Sequence, residues 1–129
     1  MASRLTPPRR PRPRSPLAPL SVLRGIKLFA TDVDGVLTDG GMYYAESGDE
    51  WKKFNTRDGM GIKLLQRAGI ITAIVTQERT KLVARRAEKL TIPELHQGVM
   101  DKLSLVRDMG PLWTHTQPGR LYWRRYQRP

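Results

Sequence analysis

The amino-acid sequence predicts an α/β fold in which a parallel sheet carries helices on its faces. Between residues 26 and 109, short apolar runs alternate with amphipathic stretches, a pattern typical of strands that are joined by helical crossovers. Polar residues follow the first two apolar runs directly, as they do at the carboxyl edge of such a sheet. The length of 129 residues and the hydrophobic content of 39 % allow one small domain.

Residues 1–25 predict a disordered tail. They hold six of the ten prolines, which lack an amide donor, and six of the arginines. All twelve acidic residues lie between residues 26 and 109, where thirteen Lys and Arg leave a balance of only +1 out of the net +11. No aromatic residue interleaves the Arg run of residues 1–25, which favours a solvated tail over nucleic-acid binding. An Arg-rich targeting peptide and a wrongly chosen start codon stay open.

The first strand and a hairpin come next. The run IKLFATD, residues 26–32, is predicted to be a buried parallel strand. GMYYAES and EWKKFNT flank the turn signal Gly48-Asp49 and predict a β-hairpin. RDGMGIKLLQRAG predicts a helix that ends at Gly69. Its apolar residues are expected near one face: Met60, Ile62, Leu64, Leu65 and Ala68.

Two further strand and helix pairs complete the pattern. IITAIVT predicts the second buried strand, and ERTKLVARRAEKL predicts a helix. The apolar residues of that helix are Leu82, Val83, Ala87 and Leu90. A third, shorter strand is expected near ELHQG, followed by a helix from Asp101 to Met109. There is no cysteine, which excludes disulfides and thiolate chemistry, and no apolar run approaches the roughly 18 residues that span a bilayer.

The stretch DVDG, after the first strand, is the strongest chemical signal. Asp32 could act as a nucleophile on phosphorus and Asp34 as the general acid and base, provided that a hard cation offsets the phosphate charge. Gly35 would let backbone amides approach phosphate oxygens. Thr76 could add a hydroxyl and Lys102 a positive charge. Each signal alone has a plainer interpretation: a capped loop for the aspartates, a strand end for Thr76 and a surface charge for Lys102.

The order of these motifs resembles a known family. DVDGVLTDG, then YY, KKFNTRDGMGIKLLQRAGI, IVT, RRAEKL and QGVMDKL, is similar to the haloacid dehalogenase (HAD) superfamily. Within it the sequence resembles the 3-deoxy-D-manno-octulosonate (KDO) 8-phosphate phosphatases and the phosphatase modules of sialic-acid synthesis. The resemblance covers residues 26–109 and implies a Rossmann-like fold with helices on both faces of the sheet and a small hairpin, at 41–55, in place of a cap domain.

The resemblance also implies a function. It implies a Mg²⁺-dependent, cytoplasmic phosphatase that hydrolyses KDO 8-phosphate or a sialic-acid-type 9-phosphate, forms a homotetramer through the hairpin when full length, and uses neither nucleic acid nor membrane as a partner. Asp32 would be the nucleophile and a metal ligand. Asp34 would be the acid and base, and its backbone carbonyl would also bind Mg²⁺. Thr76 and Lys102 would bind phosphate, and Gln77 departs from the family's usual glycine.

The largest departure from the family is at the carboxyl end. The Gly-Asp-Asp-x-x-Asp motif that closes the Mg²⁺ site is absent, and no acidic residue follows Asp108. We therefore expect a C-terminally incomplete fold with weakened Mg²⁺ binding. Permitted codons for GRLYWRRYQRP, read from the second base, encode Val-Ala-Tyr-Ile-Gly-Asp-Asp-Ile-Asn-Asp. This predicts a frameshift near residues 109–112, with residues 110–129 as an aberrant tail after a truncated domain at 26–109.

Two alternatives remain at this level. The chain could be a catalytically silent interaction or regulatory module, although retention of both Asp32 and Asp34 favours an enzyme. The hairpin's basic residues could meet a substrate carboxylate, but a solvated hairpin face is the favoured interpretation. These residues are Lys52, Lys53 and Arg57.

Overall fold

The computed structural model describes residues 19–110 of the chain. The predicted tail before residue 19 and the predicted frameshifted segment after residue 110 lie outside these residues. The elements of the described part are, in order, α1 Leu20–Arg24, β1 Leu28–Thr31, β2 Tyr43–Tyr44, β3 Glu50–Trp51, α2 Thr56–Arg67, β4 Ile71–Val75, α3 Lys81–Lys89, β5 Glu94–His96 and α4 Lys102–Asp108.

Three strands form a parallel sheet in the order β1-β4-β5. Leu28 is in register with Ile71, and Ala73 with Glu94. Since β1, β4 and β5 all run in one direction, the loops that follow them meet at one edge of the sheet. The predicted α/β class, with its parallel sheet and crossover helices, is confirmed.

The core lies between the sheet and the helices α2 and α3. Thr72 and Ile74 point to the same face of β4, and Gln66 of α2 donates to the Thr72 hydroxyl at 2.9 Å. Ile74 is fully buried, as are most of the apolar residues around it. This cluster contains Val33, Leu37, Ile62, Ile74, Val83, Ala87, Leu90 and Ile92, with Phe54 and Leu95 packed against it.

The predicted hairpin is present, with shorter strands than the sequence suggests. Tyr43 pairs with Trp51, and Tyr44 with Glu50, in an antiparallel two-stranded sheet. The turn depends on Gly48, whose φ of +89° would be strained for a residue with a side chain. The aromatic side chains of the two paired strands, Tyr43, Tyr44 and Trp51, are exposed.

Helix α2 forms where it is predicted, but its buried face differs. Asn55 caps its first turn by accepting from the Arg57 amide at 2.9 Å, and Gly69, just past its end, has a φ of +80°. Ile62 is 3 % exposed, whereas Met60 and Leu64 are 58 % and 55 % exposed. The expectation that Met60 and Leu64 lie near one face together with Ile62 is therefore wrong. They lie four residues apart on a separate stripe that turns away from the sheet.

The remaining helices follow the predicted order. Thr80 caps α3 through its side chain, and Val83, Ala87 and Leu90 are buried as expected. Asp101 caps α4 by accepting from the Ser104 amide at 3.1 Å. The five-residue helix α1 is an addition, because it falls within the segment predicted as a tail; none of its residues is buried. No helix between residues 19 and 110 is long and apolar enough to cross a bilayer.

Candidate active site

Asp32 lies in a tight turn that starts where β1 ends. The Val33 amide donates to Asp32 Oδ1 at 2.7 Å, and the Val33 carbonyl accepts from the amides of Val36, Leu37 and Thr38. Val33 itself is fully buried. Because Val33 is buried, it fixes the neighbouring Asp32, whose carboxylate is half-exposed, at the carboxyl edge of the sheet, as the sequence predicts.

Gly35 gives this turn its open side. Its φ is +75°, which glycine adopts without strain, and no atom lies within 4 Å of the point where a side chain would begin. The Thr38 hydroxyl accepts from the amides of Gly35 and Gly40 at 3.1 and 3.2 Å, which ties the two ends of the loop together. The space beside Gly35 is therefore free for a ligand, consistent with its predicted role in approaching phosphate.

Lys102 reaches Asp32 from 70 residues away in the sequence. Lys102 lies in the first turn of α4. Its Nζ atom donates to Asp32 Oδ2 at a distance of 2.6 Å, and both side chains are partly exposed. Burial favours the neutral form of Asp32, but the hydrogen bond from Lys102, the Val33 amide and the Lys102 charge outweigh it, so the pKa of Asp32 is lowered. The predicted nucleophile is thus held ionised.

Thr76 joins the same edge from the end of β4. It is 2 % exposed, its amide donates to the His96 carbonyl at 2.9 Å, and its carbonyl accepts from the Val99 amide at 3.0 Å. Its side chain also contributes a hydrogen bond that lowers the pKa of Asp32. Thr76 is therefore a fixed neighbour of the predicted nucleophile, whereas Gln77 beside it is exposed.

Lys52 is the residue of this site that sequence reasoning placed wrongly. Its side chain is only 2 % exposed and donates to Asp34 Oδ1 at 2.5 Å and to Glu78 Oε2 at 2.7 Å. Burial disfavours its charge, but the hydrogen bonds from Lys52 to Asp34 and Glu78 and their charges more than compensate, so the pKa of Lys52 is raised. The solvated face predicted for the hairpin fits Lys53 and Arg57, which are exposed, but not Lys52.

The sequence carried a weak signal for Lys52 and none for Glu78. A lysine that directly follows the exposed aromatic residues of a hairpin strand resembles any other surface lysine. Neither its burial nor its ion-pair partners can be recognised from the residues next to it in sequence. Asp34 is 18 residues from Lys52 and Glu78 is 26 residues from it. Only the docking of the hairpin against the sheet edge brings these three side chains together.

The oxygen ligands present suit a hard cation, although they are few. Within residues 19–110 no group of three or more His, Cys, Asp or Glu side chains could hold a metal ion. The Asp32 carboxylate and the Asp34 carbonyl are adjacent along one turn and are the type of donor that Mg²⁺ prefers. They would supply two of its about six ligands, with phosphate and water left to supply others.

Comparison with known proteins agrees with this geometry. The 3-deoxy-D-manno-octulosonate 8-phosphate phosphatase KdsC of Yersinia pestis is 49 % identical over 78 residues, 60 % of this chain and 42 % of the relative. The crystal structure of the phosphatase of that name from Moraxella catarrhalis, in complex with magnesium, phosphate and KDO, is 46 % identical with a TM-score of 0.64, over 67 % of this chain and 51 % of that one. A HAD superfamily (subfamily III A) hydrolase of Legionella pneumophila gives 40 % identity and a TM-score of 0.66, over 70 % and 50 % of the two chains.

These similarities have a defined extent. The chain spans about half the length of the curated relatives it matches. No family model matches the sequence. The identities of 40 % and 46 % to the two solved structures accompany TM-scores of 0.66 and 0.64. By sequence and by fold, the chain is similar to the haloacid dehalogenase superfamily and, within it, to the 3-deoxy-D-manno-octulosonate 8-phosphate phosphatases.

Proposed function

We propose that the protein is a Mg²⁺-dependent phosphomonoesterase that acts on a sugar-acid phosphate. The observation that carries the proposal is the position of Asp32, an ionised carboxylate at the end of β1 that is held by Lys102 and lies beside the buried Thr76. A fixed carboxylate next to an ammonium group and a hydroxyl can attack phosphorus while the other two groups hold the phosphate oxygens.

The reaction then has two halves. In the first, an Asp32 oxygen attacks phosphorus, the bond from phosphorus to the leaving oxygen breaks, and Asp34 in its protonated form gives that oxygen its proton. In the second, Asp34 takes a proton from water, whose oxygen attacks phosphorus. The bond from phosphorus to Asp32 breaks, and inorganic phosphate leaves. Lys102 stays beside Asp32 throughout and offsets negative charge.

Mg²⁺ is the cofactor of this proposal. The Asp32 carboxylate and the Asp34 carbonyl would hold it, and when bound it would neutralise charge on the transferred phosphate. The Moraxella catarrhalis relative was crystallised in complex with magnesium, phosphate and KDO, which supports the same ion for this chain.

The names of the relatives also guide the choice of substrate. We propose KDO 8-phosphate first, because curated relatives of 41–49 % identity are named for it. A sialic-acid-type 9-phosphate is the second choice, as both are phosphate monoesters of sugar acids. The cytoplasmic location implied by the family resemblance is part of the same proposal.

A direct assay tests the proposal. Purified full chain is incubated with 4-nitrophenyl phosphate and with KDO 8-phosphate, with Mg²⁺ and with excess chelator. We expect phosphate release that requires Mg²⁺, favours KDO 8-phosphate and falls by about 10³-fold or more in Asp32→Asn. Equal rates with and without Mg²⁺, or in the variant, would contradict it.

One observation favours a second candidate, a catalytically silent HAD-like interaction or regulatory module. No cluster of three metal-binding side chains is present in residues 19–110. A silent module would fold and show no Mg²⁺-dependent hydrolysis of either substrate. The assay above therefore separates the two candidates, provided that circular dichroism shows a cooperative unfolding transition.

We also propose that the chain forms a homotetramer through its hairpin when the domain is complete. The support is the exposure of large apolar side chains on this element, which a partner subunit would cover. They are Met42, Tyr43, Tyr44 and Trp51. Light scattering of the complete domain should give the mass of four chains, and replacing Tyr44 and Trp51 by Ser should reduce this mass.

A further inference from the structure

Lys52 links three separate segments of the molecule. It follows β3 in the hairpin, and its Nζ atom contacts Asp34 in the turn after β1 and Glu78 in the loop after β4. Its neighbour Lys53 makes no comparable link within residues 19–110: it is 73 % exposed, and its ion pair with Asp39 spans 3.9 Å. Lys52 is therefore the charged contact that fastens the hairpin to the edge of the sheet.

The burial of Lys52 makes this contact more than a surface ion pair. Exposed pairs contribute little because water competes for both groups and long side chains lose freedom when they are held. The Lys52 side chain is only 2 % exposed, so loss of its carboxylate partners would leave its ammonium group largely buried and unpaired. Two carboxylate acceptors satisfy two of its three donors, and all three side chains are fixed as a result.

The two carboxylates have different surroundings. Asp34 belongs to the turn that carries Asp32, and it is the proposed proton donor and acceptor. Glu78 lies two residues beyond Thr76, is partly exposed, and its ion pair is with Lys52. Glu78 thus holds Lys52 from the loop after β4, and Lys52 holds the Asp34 carboxylate in one orientation.

We propose that Lys52 is a positioning residue that orients the Asp34 carboxyl group for proton transfer to the leaving oxygen, and that Glu78 anchors Lys52 for this task. The inference rests on the proposed function and deepens it. It extends the site from the turn after β1 to the hairpin and to the loop after β4.

Leaving groups of different acidity test the positioning role. An alkyl leaving group needs the proton from Asp34, whereas 2,4-dinitrophenolate leaves without one. We expect Lys52→Met to lower kcat/KM for KDO 8-phosphate, which reports only the steps up to loss of the leaving oxygen, by about 10- to 100-fold, with kcat/KM for 2,4-dinitrophenyl phosphate changed by less than about threefold. Glu78→Gln should give a smaller loss of the same kind, Lys52→Arg should restore part of the rate, and Lys53→Met should equal the wild type.

Hydrogen exchange tests the anchoring without relying on activity. In Lys52→Met and Glu78→Gln, amides of residues 33–36 and 43–51 should exchange at least about threefold faster than in the wild type, and in Lys53→Met at the wild-type rate. Unchanged exchange in Lys52→Met would overturn the anchoring. Faster exchange with equal losses of kcat/KM on both substrates would overturn the positioning role and leave Lys52 as a structural contact.

The two proposals fail in different ways. If the wild-type chain hydrolyses neither substrate, the proposed function fails and the positioning role with it, while hydrogen exchange still decides whether Lys52 and Glu78 anchor the hairpin. If the wild type is active and Lys52→Met is as active on KDO 8-phosphate, only the positioning role is overturned.

Discussion

The residues of the site differ in how far they could be predicted. Asp32, Gly35, Thr76 and Lys102 each lie where the sequence predicts, at loops that follow parallel strands or at the start of a helix. Their roles in catalysis stay predictions until the assays are done. Their positions follow from a general rule, because parallel strands deliver their carboxyl ends to one edge.

Lys52 and Glu78 show the limit of this reasoning at the residue scale. A lysine in a hairpin is more often solvated than buried, so the favoured interpretation was the common one. The structure reverses it, since two carboxylates from distant segments surround the ammonium group. No local pattern in the sequence specifies such a meeting.

Asp101 allows a test of electrostatics away from the predicted metal ligands. Its carboxylate accepts from the Ser104 hydroxyl and amide, and these hydrogen bonds lower its pKa below the ordinary 3.8. A lowered pKa in the folded state gives stability that is present above pH 3.8 and is lost as pH falls through the folded-state pKa. In urea unfolding, the stability difference between the wild type and Asp101→Asn should shrink as pH is lowered through this range.

Ser104→Ala provides the matched control for this measurement. Ser104→Ala removes the hydroxyl donor but leaves the backbone amide. In this background, the effect of Asp101→Asn on the free energy of unfolding should therefore depend less on pH than it does in the wild type. A difference between wild type and Asp101→Asn that stays constant from about pH 7 to about pH 2 would show that the capping carboxylate does not titrate as described.

At the scale of elements, periodicity predicted where helices form better than which side they bury. Helix α2 begins and ends near its predicted bounds because Asn55 and Gly69 are strong signals of a start and a stop. Its apolar residues, however, occupy two stripes, and the sequence does not say which one faces the sheet. The choice depends on where β4 and α3 lie, and the structure assigns the core to the side of Ile62.

Two substitutions in α2 test the buried face. Ile62→Ala removes a side chain that is 3 % exposed within the core cluster, and it should lower the free energy of unfolding by about 2–5 kcal/mol. Leu64→Ala, two residues along the same helix, removes an exposed side chain and should change it by less than about 0.5 kcal/mol. Urea denaturation measures both. Equal losses would mean that Leu64 contributes to the core after all.

At the scale of the whole molecule, β1 is an end strand of the described sheet. The order β1-β4-β5 leaves one side of β1 without a partner among residues 19–110, and Phe29 on this strand is 38 % exposed. Parallel sheets usually have both faces covered, and the strand that carries the site usually pairs with a strand on each side. The free side of β1 lies next to Asp32, so any strand that pairs there would adjoin the proposed metal ligands.

The prediction at the scale of the whole molecule concerns the reading frame of the carboxyl-terminal residues. The codons permitted for residues 119–129 allow a second frame that encodes Gly-Asp-Asp, the kind of carboxylate pair that a Mg²⁺ site needs. We expect the gene to carry these codons, with a single-base change near codons 109–112. Sequencing the DNA from codon 105 to beyond codon 129 checks it. Codons that do not encode the motif in the second frame would refute the prediction.

The sequence by itself determined the order of the elements, the parallel sheet, the DVDG turn and the resemblance to a superfamily. These depend on patterns within about 10–15 residues: apolar runs, capping residues and glycines with positive φ. Only the tertiary structure decided which stripe of α2 is buried and that Lys52 is enclosed by Asp34 and Glu78. The physical reason is that burial and ion pairing depend on which distant segments meet, and local periodicity does not encode that meeting.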